Sequence, residues 1–104
     1  MFGLVVRFTI KDGATADFDR LMEMTVPEIR RHEPGTLVYA VHRVEGEPNT
    51  RVFYELYRDR AAFDEHERQE HTRRFLAERE RYLSGPPQVD FLALQTAAGA
   101  VEAQ

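Results

Sequence analysis

The sequence predicts an α+β fold of order β-α-β-β-α-β, with two helices laid across one face of a four-stranded antiparallel sheet. Three observations predict it. Apolar and polar residues alternate with period two over residues 2–10, 36–45 and 52–57, and again over 89–94, the mark of pleated strands. Apolar residues recur at helical spacing in two stretches between them, from Thr15 and from Asp59. Gly46-Glu47-Pro48-Asn49 joins the second and third strands as a hairpin, with no helix between, which leaves the split, ferredoxin-like arrangement.

In the first strand Phe2, Leu4, Val6, Phe8 and Ile10 share one face and Val5, Arg7 and Thr9 the other, before Lys11-Asp12-Gly13 closes it. The first helix, with Thr15 as its N-cap, places Phe18, Leu21, Met22, Thr25 and Ile29 on one side. Proline inside a helix removes a hydrogen bond and clashes with the carbonyl four residues back, so Pro27 predicts a kink or restart near Thr25 to Pro27. Met22 and Met24 read as core packing rather than as an adaptable binding stripe. Glu33-Pro34-Gly35 ends the helix, and Leu37, Tyr39 and Val41 then oppose Val38, Ala40, His42 and Val44 along the second strand. In the third strand Val52, Tyr54 and Leu56 alternate with Phe53, Glu55 and Tyr57. Asp59 suits the N-cap of a long second helical region, whose buried side comes from Phe63, Phe75, Leu76, Tyr82 and Leu83 and which Ser84-Gly85-Pro86-Pro87 terminates.

The chain has 104 residues, enough for one domain burying about 65% of its unfolded surface. That domain is expected over 1–95, with 96–104 a loose tail or partner-embracing arm. A net charge of −4 with acids and bases interspersed offers no basic face for nucleic acid and no polybasic stretch for a membrane surface. The lack of cysteine excludes disulfides, thiolate nucleophiles and iron–sulfur clusters, and fits a reducing cytoplasm. The apolar start is too short and too regular in its alternation for a signal peptide, and no run is long enough for a membrane span.

His66 and His71 dominate the search for chemistry. Two histidines that share a metal on one helix need i,i+4 spacing, whereas these stand five apart, which turns the second ring by roughly 140° on a continuous helix. A shared metal would need a break between them, and no metal site is expected; a ring lining a substrate pocket is the stronger reading. Tyr39 and Tyr57 read first as core aromatics with a bonded hydroxyl, Glu55 as a strand-end carboxylate, and Arg7 as a residue of the sheet edge or subunit seam. His32 beside its turn needs no function, and His42 suits a subunit contact equally well.

Helices cover only one sheet face, yet the other is expected to carry Val5, Val38, Ala40, Val44, Phe53, Leu92 and Leu94, too apolar for water. A second copy is the simplest cover, giving a symmetric homodimer.

The run Glu33-Pro34-Gly35-Thr36-Leu37-Val38-Tyr39, the strand end Glu55-Leu56-Tyr57-x-Asp59, and His66 with His71 followed by Phe75 resemble the antibiotic biosynthesis monooxygenase superfamily over about Val5 to Leu94. The resemblance implies a dimeric α+β barrel and cofactor-free oxygenation of quinols, polyphenols or aromatic polyketide-like molecules. It extends to haem-degrading oxygenases and to an isomerase that processes autoinducer-2 phosphate. Haem-degrading members use a tryptophan and a first-strand asparagine; this chain has no tryptophan, and Arg7 stands in its first strand. The Glu55-x-Tyr57 form and the Asn49-Thr50-Arg51 entry to the strand look closer to the isomerase branch, although the first helix lacks that branch's histidine.

Such chemistry asks for a base, an apolar cavity and a donor for an anion, because a dihydroxyarene reacts with oxygen once deprotonated. By this resemblance His66 or His71 is base or orienter, and Tyr57 and Tyr39 are hydroxyl donors. Arg7 or Arg51 faces an oxyanion, and Glu55 and Phe75 complete the substrate site. The alternatives are a small-molecule isomerase using the same groups, and a ligand-binding dimer without chemistry.

Overall fold

Register places the core. In the computed structural model, which describes residues 1–99, β1 (Phe2–Thr9) pairs antiparallel with β3 (Glu47–Tyr57) so that Leu4 faces Glu55, Val6 faces Phe53 and Phe8 faces Arg51. Directly paired residues point to the same sheet face, so Phe53 and Glu55 join Leu4, Val6 and Phe8 beneath the helices. Phe53 is fully buried there, 4.7 Å from Phe8 between ring centroids, and does not belong to the outward face where its alternation with Val52 and Tyr54 had placed it.

The remaining elements are α1 (Thr15–His32), β2 (Thr36–Val44), α2 (Arg60–Arg68), α3 (Glu70–Glu78), a 3-10 turn at Arg79–Arg81, and β4 (Gln88–Ala93). Strand order is β2-β3-β1-β4 with every pairing antiparallel, the ferredoxin-like arrangement that the alternation predicts. The hairpin is tighter than expected: β3 already begins at Glu47, and Gly46 takes the turn with φ +78.

Phe18, Leu21, Met22, Thr25 and Ile29 of α1 are buried on the sheet, each large apolar side chain contributing about 1.5–3 kcal/mol. The helix passes through Pro27 without a restart. Pro27 is exposed, and the carbonyl it deprives, that of Glu23, belongs to an exposed residue, so water can replace the lost partner; Thr25 bonds back to the Leu21 carbonyl at 2.8 Å. Thr15 makes no side-chain cap; the cap position is Ala14. Asp59 does cap α2, accepting from the Ala62 N–H at 2.8 Å.

The long second helix breaks at Gln69, whose backbone is extended (φ −66, ψ 143), dividing it into α2 and α3. On the outward sheet face Val5, Val38, Ala40, Val52 and Tyr54 are half-buried, and edge strand β4 is exposed along its length. Residues 94–99 carry no regular strand or helix, and the arm expected over 96–104 lies from 100 onward outside the described residues. Among the described residues no helix is long and apolar enough to cross a membrane.

Candidate active site

Asp59 starts α2 in a register that sends Phe63 and His66, one turn apart, down onto the sheet. Between them, the strands and α3 lies a cavity of about 140 Å³, walled by Leu4, Val6 and Phe8 of β1, Tyr39, Glu55, His66, Thr72, Phe75, Arg79 and Phe91. Its polar groups gather around His66 while the β1 wall is hydrocarbon.

His66 is fixed from behind by a carboxylate. Glu33, just past the end of α1, is buried; its Oε1 lies 2.7 Å from Nδ1 of His66 and accepts from the Thr36 hydroxyl at 2.7 Å. Its Oε2 lies 2.5 Å from Nε2 of His71. The break at Gln69 makes this possible, since it removes the angular offset that a continuous helix would impose on rings five residues apart. What the two imidazoles share is a carboxylate. Burial alone would raise the Glu33 pKa, but the bonds from His66, Thr36 and His71 outweigh it and hold the carboxyl below its ordinary range.

On the cavity side Nε2 of His66 lies 4.0 Å from Oε1 of Glu55. Glu55 accepts from the Tyr57 hydroxyl at 2.5 Å, yet burial dominates and pushes its carboxyl up. Burial, reinforced by Glu55, also raises the Tyr57 and Tyr39 hydroxyls far above their usual value, so both stay protonated donors. Arg79 contributes a guanidinium lying 5.4 Å from the Phe8 ring centre and 5.6 Å from that of Phe75, and its buried Nε, without a hydrogen bond, lies 3.8 Å from a Glu80 carboxylate oxygen.

The residues singled out from sequence thus separate. His66, Tyr39, Glu55 and Phe75 line the cavity. Tyr57 is fully buried behind Glu55. His71 lines an outer hollow with Glu28, His32 and Arg74 instead. Arg51 and Arg7 do not reach the cavity: Arg51 is buried in a two-bond ion pair with Asp19 at 3.0 Å, and Arg7 pairs with Glu47 at 2.8 Å on the other sheet face. Two residues that sequence reasoning passed over matter more. Glu33 heads the run that carries the family resemblance and read there as part of a turn; its role was missed because the two imidazoles it holds stand 33 and 38 positions away. Arg79 had a usable signal, lying one helical turn beyond Phe75 and so on the same face.

Residues 1–78 match the family model for antibiotic biosynthesis monooxygenase. Among curated proteins none matches the chain. Among solved structures, the chain is similar to Rv0793 from Mycobacterium tuberculosis, with 26% identity and a TM-score of 0.86 over 94% of this chain and 98% of that one. A structure described as an antibiotic biosynthesis monooxygenase aligns at 26% identity and TM-score 0.84, over 92% of this chain and all 100% of the other. PA3566 from Pseudomonas aeruginosa aligns at 26% identity and TM-score 0.81, over 91% and 94%.

Proposed function

The chain belongs to the antibiotic biosynthesis monooxygenase family, and from that premise we propose that it is a cofactor-independent monooxygenase oxidising a single-ring quinol or polyphenol with O2. The observation that carries this reading is the cavity of about 140 Å³ with an oriented imidazole in its wall. A cavity of this size holds about one benzene-sized ring. A larger aromatic polyketide would have to project past Phe91, which is 61% exposed at the cavity's edge.

Glu33 accepts the Nδ1–H of His66, a tautomer assigned from the bond network, and this leaves Nε2 bare toward the cavity. His66 takes the quinol proton there. Tyr39 and the Arg79 guanidinium hold the resulting anion, which is electron-rich enough to reduce O2. A carbon–oxygen bond forms, the peroxide loses water, and the sum is SH2 + O2 → SO + H2O, with all four electrons drawn from the substrate. The aromatic walls exclude bulk water from the anion.

The functional unit is a homodimer in this reading. The outward sheet face carries the half-buried apolar patch Val5, Val38, Ala40, Val52 and Tyr54 beside the Arg7–Glu47 pair, and in β4 Val89 and Phe91 of the cavity wall are exposed at 45% and 61% in one copy. A second copy laid on the outward face would cover its apolar residues, whereas Val89 and Phe91, paired with Val6 and Leu4, point to the helix side.

An isomerase is favoured by one observation: Glu55 and His66 stand 4.0 Å apart, close enough to lift a proton from one carbon and return it to the next. Oxygen uptake over a panel of hydroquinones, catechols and polyphenols, with isotope-labelled O2, separates the readings. The oxygenase puts one labelled atom in product and one in water, and His66→Ala abolishes it. Proton–deuterium exchange into a substrate carbon without oxygen uptake would establish the isomerase. Ligand binding without either would establish a binding protein.

A further inference from the structure

We propose that His71 is a positioning residue through which protonation at the outer surface sets the basicity of His66, with the Glu33 carboxylate as the link. The two imidazoles occupy separate compartments: His66 lines the inner cavity, and His71 lines a hollow of about 340 Å³ between the end of α1 and the start of α3. They meet on one carboxylate, at 2.7 Å through Nδ1 of His66 and 2.5 Å through Nε2 of His71.

Glu33 has a single negative charge on which both rings draw. While His71 is neutral, that charge holds the Nδ1–H of His66 and makes Nε2 a strong acceptor. When His71 takes a proton from the outer hollow, its cation claims the same charge and His66 becomes a weaker base. The surroundings favour that traffic on the outer side. His32 of α1 stacks on His71 at 6.2 Å and lies 3.6 Å from Glu28, which Arg31 already pairs at 2.7 Å; Glu70 stands beside the hollow to attract a proton, with Arg74 opposing it. On the inner side His66 faces Glu55 at 4.0 Å and Tyr57 and Tyr39 at 5.3 and 5.5 Å between ring centroids, with Glu67 and Arg79 in the cavity wall. Thr36 donates to Glu33, and the Thr72 hydroxyl lies 3.4 Å from Nδ1 of His66. Among these groups only Glu33 contacts both His66 and His71.

The catalytic consequence rests on His66 acting as the base in the reading above, but the test uses no substrate, so the two fail separately. The measurement is NMR of isotope-labelled imidazole nitrogens in the whole chain across a pH titration. In the wild type the His66 nitrogens should respond at the His71 step as well as at their own. His71→Gln should leave one step and keep the Nδ1–H tautomer; Glu33→Gln should abolish both the coupling and the tautomer preference. Should a variant not fold, the wild-type curves decide alone: a single His66 step that ignores His71 overturns the proposal.

Discussion

Nδ1 of His66 lies 2.7 Å from Oε1 of Glu33, a contact across 33 positions that ties the end of α1 to the last turn of α2. The carboxylate is 2% exposed and serves two imidazoles and a hydroxyl, so its removal strands several buried groups at once. Glu33→Ala strands the buried His66, His71 and Thr36 donors, each costing about 1–3 kcal/mol when left without its acceptor. Glu33→Gln, which keeps the shape and some hydrogen bonds, should cost about 1–3 kcal/mol. Urea denaturation reads both as a lower midpoint at unchanged slope. An alanine variant as stable as wild type would show that the carboxylate holds nothing together.

Acid stability should follow from opposite shifts in the two buried glutamates. The Glu33 carboxyl is depressed below 4.5 in the fold, so its contribution is complete above that ordinary value and disappears as pH falls through the lower folded value. The Glu55 carboxyl is raised above 4.5, so its contribution is complete below the ordinary value and is lost as pH rises through the higher folded one. Thermal unfolding followed by circular dichroism should therefore show the wild-type advantage over Glu33→Gln shrinking as the medium is acidified below 4.5. Glu55→Gln should gain on wild type toward neutral pH. A Glu33→Gln deficit that stays constant through the acid range contradicts the assignment.

Gly35 is where the Glu33 turn packs on α2. A Cβ there would lie 2.6 Å from Cβ of Ala62, a contact neither side can relieve by rotation, while the Gly35 carbonyl accepts from Arg58 N–H at 2.9 Å. Gly35→Ala should cost about 1–3 kcal/mol as an overpacking change. Because the strain falls between Glu33 and α2, it should also loosen the hold on His66. Gly35→Ala combined with Ala62→Gly should recover most of the loss, measured by the same urea midpoints; no recovery would place the cost elsewhere.

The legible part of this molecule is the part made of short-range pattern. Alternation placed the helix-facing residues of β1, and Asp59 announced the start of α2 through chemistry confined to four residues. The misplacement of Phe53 shows the limit: alternation says that Phe53 and Val52 point to opposite faces, and only pairing with Val6 says which face is which. The site was legible as a set of residue types around His66, including Tyr39, Glu55 and Phe75. Its organising carboxylate was hidden, because Glu33 meets His66 and His71 only after α1 and α2 have docked and Gln69 has left the helical conformation. Gln69 is an ordinary helix former, so nothing in its identity announces the break.

The last prediction concerns Tyr57, which is fully buried and donates its hydroxyl to Glu55 at 2.5 Å without lining the cavity. That bond lowers the Glu55 carboxyl against the raising effect of burial, so Tyr57→Phe should raise it further. If turnover needs Glu55 ionised beside His66, the acid limb of the kcat/KM profile should move to higher pH in the variant. The well-packed ring remains, so the fold should lose only about 1–3 kcal/mol for the acceptor left without its donor. Oxygen uptake measured across pH with an active quinol tests this directly. A limb that stays where it is, with the rate lowered equally at every pH, would show that Tyr57 supports the wall of the site and does not tune Glu55.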